Sequence, residues 1–180
     1  MMLMTQSGIE IKLLADCPHC IPQLARLWFE EIGCQWIPGA TIEQAKQTYI
    51  EHLNNDELPL TVIAIHKNQA IGMISLRAYD GIREDLTPWL GSLVIQADYR
   101  KQGLGTLLIE IIKAQAKEMG FDKLYLFVLD ASLLEWYQYL GWKKIGVDTF
   151  KQHPVIVMES DTEKRIIACH PSESSPLLSR

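Results

Sequence analysis

Apolar and polar positions alternate, run on and recur along this chain in ways that mark out its elements. Leu90 to Ile95 is an apolar run but for Ser92, short enough for a strand buried on both faces. Gln96, Ala97, Asp98 and Tyr99 interrupt it, and apolar residues then return at helical spacing: Leu104, Leu107, Leu108, Ile111, Ile112, Ala116 and Met119. Between the two lies Arg100-Lys101-Gln102-Gly103-Leu104-Gly105-Thr106, a turn with two glycines at the hinge. This strand, turn and helix form the centre of the chain.

Upstream, Ile9, Ile11 and Leu13 alternate with Glu10 and Lys12 and predict a first strand. Asp16 is placed to cap a helix that starts near Pro18, carries Ile21, Leu24, Ala25, Trp28 and Ile32, and ends at Gly33. Thr41, with Gln44 three residues on, opens a second helix that reaches Leu53 and stops at Asn54-Asn55-Asp56. Leu60 to His66 and Ala70 to Leu76 read as a hairpin around Lys67-Asn68-Gln69, with neither strand showing a clean polar side. Arg77 to Trp89 is rich in charge and turn residues and reads as a loop. Downstream come a strand at Lys123 to Leu129, a short helix from Ser132 to Leu140 ending at Gly141, and strands at Trp142 to Val147 and Val155 to Met158. A domain over residues 1–160 and a mobile polar tail over 161–180, with a short helix around Glu163 to Ala168, complete the expectation.

Composition adds limits. The 180 residues suit one domain, and 48% apolar with 22% charged residues is ordinary for a globular chain with a sizeable core. A formal net charge of −5 disfavours nucleic acid as the principal partner. No apolar run is long enough for a bilayer, and the N-terminus lacks the basic-then-apolar pattern of a secretion signal. Four cysteines without framework spacing agree with a reducing compartment, so the expected location is the cytoplasm.

The central turn carries the candidate chemistry. A helix start has unpartnered amides and the positive end of the helix dipole, and a phosphate is its natural guest. The Walker loop is absent. The dinucleotide fingerprint needs a small residue where Leu108 stands, and Asp122 precedes the next strand where an acid ending it is required. What remains is Arg-x-x-Gly-x-Gly, followed at a distance by Leu-Glu-Trp-Tyr-Gln-Tyr-Leu-Gly-Trp from Leu134 to Trp142. On these motifs, and on an element order of strand, two helices, three strands, helix, strand, helix, two strands, the chain resembles the GNAT superfamily of acetyl-CoA-dependent N-acetyltransferases. The likeness covers about Ile9 to Met158. It is strongest to small bacterial members in which Arg-Glu-Asp-Leu-x-Pro-Trp-Leu precedes the fourth strand.

That resemblance implies an α/β (α+β) fold: a mixed sheet of about seven strands flanked by about four helices, its fourth and fifth strands parted. It implies acetyl-CoA as acyl donor, no metal, and transfer to a primary amine of a small molecule or peptide by direct attack in a ternary complex. The pantetheine arm would pair with the main chain of Leu93, Val94 and Ile95. The diphosphate would rest on Arg100, Lys101, Gln102, Gly103, Leu104, Gly105 and Thr106. Tyr137 stands four residues before Gly141, where the family places the tyrosine that protonates the departing thiolate. Asp130 occupies a position near the CoA arm where relatives commonly carry asparagine. For the general base, Asp80, Glu84 and Asp85 offer carboxylates before the fourth strand, and Glu84 is the choice among them. Clustered acids there imply a cationic acceptor. Relatives often pair through exposed strands, which makes a homodimer the expected assembly if there is one.

Two other readings come from the residues. Cys17-Pro-His-Cys20 has the spacing of a redox pair, and with Cys169 and His170 it could supply zinc ligands, but the strand and helix order is not that of a thioredoxin fold. A module that binds acyl-CoA without catalysis is the alternative to an enzyme.

Overall fold

The computed structural model describes residues 2–4 and 7–163. In chain order the elements are β1 (Met2–Met4), β2 (Glu10–Leu13), α1 (Ile21–Trp28), α2 (Cys34–Trp36), α3 (Ile42–Glu51), β3 (Leu60–His66), β4 (Gln69–Arg77), β5 (Trp89–Ile95), α4 (Leu104–Glu118), β6 (Lys123–Val128), α5 (Leu134–Tyr139), β7 (Lys143–Phe150) and β8 (His153–Asp161). The strands form one sheet in the order β1-β2-β3-β4-β5-β6-β8-β7. The expected seven strands are present, and three-residue β1 adds an eighth at the edge, so the family's fourth and fifth strands are β5 and β6 here.

Alternation along β3 and β4 explains the two-sided core. Ile63, Ile65 and Met73 turn toward α1 and α3 and join Leu24, Ala25, Ala45 and Tyr49. Val62, Ala64, Ile74 and Leu76 turn the other way, onto Leu104, Leu108, Ile111 and Ile112 of α4. Both faces of these strands are therefore dry, which is why no polar side is legible in them. A smaller cluster sits at the far end of the sheet, where Trp89 is fully buried against Ile82, Val155 and Val157.

Local signals place most element ends. Thr41 and Gln44 form the expected capping box, with Gln44 N–H donating to Thr41 Oγ1 at 3.2 Å and Thr41 N–H donating to Gln44 Oε1 at 3.0 Å. Lys67 and Asn68 both take positive φ (49° and 63°) in the β3–β4 hairpin, the conformation a two-residue turn requires.

The first helix departs from expectation. Asp16 belongs to a single 3₁₀ turn (Leu14–Asp16) and makes no capping bond; a second such turn (Pro18–Cys20) precedes α1. Nor does the helix stop at Gly33. It widens into a π-turn over Phe29–Gly33 and continues as α2. Gly33 keeps helical dihedrals (φ −57°), and a Cβ on it would lie 2.7 Å from the Trp28 ring, so its missing side chain makes room for packing and does not end the helix. The last strand also runs longer than expected, through Asp161, with Thr162 Oγ1 donating to Phe121 O at 2.8 Å. Apart from Glu163, the expected helix from Glu163 to Ala168 and the tail beyond it lie outside the described residues.

Candidate active site

β5 and β6 run parallel but share a single register pair, Trp89 with Tyr125, next to Tyr125 N–H donating to Pro88 O at 3.0 Å. Beyond that point they part. A bulge in β5 contributes to the parting: Val94 faces Met73 and Gly91 faces Ser75 on β4, so Ser92 and Leu93 together oppose Ile74, and Ser92 takes a left-handed φ of 51°. Such a bulge bends its strand and re-aims main-chain groups. The gap opens into a cleft of about 700 Å³.

One end of the cleft is the central turn. Gly103 is the N-cap of α4 with φ 82°, and no side chain caps the helix. The amides of Leu104, Gly105 and Thr106 are thus the first of α4, donors that a helix cannot use internally. Lys101 is left-handed as well (φ 59°). A Cβ at Gly105 would touch the Trp136 ring at 3.4 Å, so a larger residue would press on the wall of the cleft. Arg100 is held by two contacts. Its Nε donates to Ile95 O at 2.9 Å, and its Nη2 pairs with Glu31 at 2.5 Å, tying the turn to the end of β5 and to the π-turn.

Along the cleft, α5 presents Tyr137, whose ring packs between Trp136 (4.9 Å) and Trp142 (6.2 Å). Burial pushes its phenol well above the ordinary value, so the hydroxyl stays protonated. Asp130, exposed at the rim, accepts from Ser132 N–H at 2.9 Å and caps the turn that leads into α5; hydrogen bonds from Ser132 hold its carboxyl below the usual range.

At the opposite end, near Gly91, a buried polar chain replaces the apolar wall. Arg77 donates from Nη1 to Asp80 Oδ1 and from Nη2 to Ser92 Oγ, and Tyr49 O–H donates to the same Ser92 oxygen at 3.1 Å. Behind it, His52 Nδ1, Thr61 Oγ1 and Ser75 Oγ are linked at 2.8 Å each. Burial pushes the Asp80 carboxyl up, and the Arg77 charge restrains the rise. Burial also raises the Tyr49 phenol to about 12, which keeps its O–H a donor. This chain stiffens the bulged part of β5 from behind.

His52 gives the network a pH signature. Burial, reinforced by the charge of Arg77, lowers its imidazole from 6.5 to about 3. The folded state holds the neutral ring, so this stability is complete above pH 6.5 and is lost as pH falls toward 3. The slope from one such group is about 1.4 kcal/mol per pH unit. Urea denaturation midpoints should therefore drop between pH 6.5 and 5.5, and a His52→Gln variant should lose that share of the drop. Parallel pH profiles for the two proteins would contradict the assignment.

Of the residues expected in the site, Leu93, Val94, Ile95, Arg100, Lys101, Gly103, Gly105, Thr106, Asp130 and Tyr137 line this one cleft. Gln102 does not: its side chain is exposed and donates to Asp98 O at 3.0 Å. The Leu104 side chain is in the core, leaving only its amide to the turn. Glu84 requires a correction. It is exposed and outside the cleft, because the loop reverses through Gly81 and Arg83, both at positive φ, after Asp80 and before Glu84. Asp85 is on the outer side too, paired with Arg83 at 2.8 Å. Asp80 is the loop carboxylate that reaches the cleft.

Trp36 lines the cleft and is met edge-on by His153 at 5.3 Å; His153 itself is not in the wall. Cys17 and Cys20 are buried in the core beside α1, and burial raises the Cys20 thiol, the reverse of an activated thiolate. Cys169 and His170 lie outside the described residues. The sequence reading missed the Tyr49–Ser92–Arg77 chain. Its trace is the set of polar residues Thr61, Ser75 and Ser92 inside otherwise apolar strands.

Comparison with known proteins matches residues 23–142 to the family model described as "Acetyltransferase (GNAT) family". An amino-acid acetyltransferase of Edwardsiella ictaluri is 31% identical over 78 residues, 43% of this chain and 17% of that protein; the chain thus spans a small part of the relative's length. Among solved structures, an aminoglycoside 6'-N-acetyltransferase complexed with coenzyme A superposes with a TM-score of 0.67 at 20% identity, over 86% of this chain and 98% of that one. An acetyltransferase from Streptococcus agalactiae superposes with a TM-score of 0.68 at 22% identity, over 87% and 99%. At these identities the likeness of the structures is one of fold.

Proposed function

The chain belongs to the GNAT acetyltransferase family, and we propose that it transfers the acetyl group of acetyl-CoA to a primary amine by direct attack in a ternary complex. The observation that carries this reading is the meeting, in one cleft, of an uncapped helix start at Gly103, parted parallel strands and a buried Tyr137. The first suits a diphosphate, the second a thin thiol-bearing arm, and the third a leaving group that needs a proton. No helix among the described residues is long and apolar enough to cross a membrane. The buried, unpaired Cys17 and Cys20 support a reducing, cytoplasmic setting.

The residues divide the work as follows. Main-chain amides of Leu104, Gly105 and Thr106 hold the diphosphate, with Lys101 adding charge at the mouth. The main chain of Leu93, Val94 and Ile95, exposed to the cleft by the bulge, orients the thioester arm and faces charge that develops on its carbonyl oxygen. The neutral amine nitrogen forms a bond to the acetyl carbon as the carbon–sulfur bond breaks. One of its protons stays on the amide. The other passes from the nitrogen to solvent, the thiolate takes a proton from Tyr137, and solvent returns one to the phenolate. Desolvation that raises the Tyr137 phenol also raises the basicity of a thiolate formed beside it, so the transfer remains feasible. Asp80, the carboxylate in the cleft near Gly91, takes the proton that an ammonium must lose before attack.

A thiol-release assay over polyamines, aminoglycosides, amino acids, arylalkylamines and peptide N-termini tests the reading. Turnover of at least one class, together with saturable coenzyme A binding, is the expected result. Binding without turnover on any of them would favour the non-catalytic acyl-CoA module instead.

A further inference from the structure

Asp80 and the Gly103 turn mark opposite ends of the cleft along β5. A Cβ at Gly91 would lie 2.9 Å from Asp80 Oδ2, whereas Arg100 ties the turn to Ile95 O. Four residues of strand separate these points by roughly 13 Å. The Asp80 end is therefore where an acceptor must enter if the other end holds the diphosphate. Apolar and aromatic side chains wall this end: a Cβ at Gly81 would lie 2.8 Å from the Phe150 ring, Phe127 packs on Phe150 at 4.8 Å, and Trp36, followed by Ile37, meets His153, the register partner of Phe150.

The charges in those walls are few and mostly committed. Asp80 is the one loop acid that faces inward, its Oδ1 engaged by Arg77 and its Oδ2 against Gly91. Glu31 is paired with Arg100, and Asp130 stands exposed at the rim capping Ser132. Arg77 spends Nη1 on Asp80 and Nη2 on Ser92, and its Nε is buried without a hydrogen-bond partner. An ammonium thus finds one carboxylate oxygen. A second ammonium finds only Glu31 and Asp130, both already engaged, and an acceptor carboxylate would be brought against Asp80 with the Arg77 fork already occupied. Burying an unpaired charge among aromatic rings is costly.

Granting acetyl transfer as proposed above, we infer that the acceptor is a primary monoamine with an apolar body, its nitrogen held by Asp80 and its aryl or branched alkyl group packed on Trp36, Ile37, Phe127 and Phe150. The class excludes polyamines and aminoglycosides, which carry several ammonium groups, and free α-amino acids, which carry a carboxylate beside the nitrogen. The aromatic rings also receive a single cation well, through their faces.

The experiment measures kcat/KM for 2-phenylethylamine and isopentylamine against spermidine, kanamycin and phenylalanine, with coenzyme A binding followed separately by calorimetry. The two monoamines should exceed the other three by about a hundredfold or more, the scale set by leaving a buried charge unpaired. Trp36 touches His153 and the cleft, so Trp36→Ala should leave coenzyme A affinity unchanged and raise the KM for 2-phenylethylamine by about tenfold. If coenzyme A binds and spermidine, kanamycin or phenylalanine is the better substrate, or no monoamine is turned over, the monoamine assignment falls while the donor site stands. If coenzyme A does not bind, both fall together.

Discussion

The Gly103→Val variant is expected to lose at least about a hundredfold in coenzyme A affinity while remaining folded. The backbone at this position has φ 82°, and a Cβ there would meet nothing within 4 Å, so space is not the obstacle. Conformation is. A β-branched residue in the left-handed region costs roughly 1–3 kcal/mol, which the chain relieves by rotating toward negative φ. That rotation swings the peptide plane that opens α4 and displaces the amides of Leu104, Gly105 and Thr106. Hydrogen bonds to a charged partner contribute about 1.5–3 kcal/mol each, so misaligning one or two accounts for the expected loss. Gly120 supplies the control: its φ is 88°, a Cβ on it also meets nothing within 4 Å, and it lies past the other end of α4. Gly120→Val should lower the melting temperature by a similar few degrees and leave the calorimetric titration with coenzyme A unchanged. Normal binding by Gly103→Val would show that the turn does not hold the diphosphate.

Tyr137→Phe should reduce kcat by a factor of roughly 10²–10⁴, the usual worth of a positioned proton donor, with coenzyme A affinity unaltered. The change deletes one oxygen and keeps the ring between Trp136 and Trp142, so packing is conserved. The wild type has a matching pH signature. Burial disfavours the phenolate, so the acid form persists above the ordinary tyrosine value near 10. The alkaline side of the kcat profile should accordingly show no descending limb from this residue up to about pH 10. Retention of wild-type kcat in the phenylalanine variant would make Tyr137 a packing residue of the cleft and leave the thiolate to be protonated by solvent.

The two variants probe different depths of the sequence record. Glycine at 103 was legible because a positive φ at a helix start is a property of a few consecutive residues. The same holds for the Thr41–Gln44 capping box and the Lys67-Asn68 turn, where near neighbours supply both partners of each contact. The place of Tyr137 in the cleft was legible only through its distance from Gly141 and the likeness to a family. Residues 77 to 89 were read as a loop rich in charge and turn residues, with Glu84 the choice for general base. The structure turns Glu84 and Asp85 outward and Asp80 inward. No count of charges decides that, because the direction of the Asp80 carboxylate depends on Arg77 at the end of β4, which donates to it and is itself held by Ser92 of β5.

Gly33 and Arg100 teach the same lesson. A glycine at the end of a helical pattern is ordinarily a stop, yet here it is a notch for the Trp28 ring within a helix that continues through a π-turn into the cleft wall. Arg100 was expected on phosphate and is engaged by Ile95 O and Glu31, which positions the turn. By itself the sequence determined the order of most elements, their buried faces and the glycine turn that opens α4, since periodicity and backbone preference act over a few residues. Only the tertiary structure decided where β5 and β6 part, which acid enters the gap and which rings enclose it. Those outcomes join residues dozens of positions apart, and such distances are set by packing of the whole sheet between its helices.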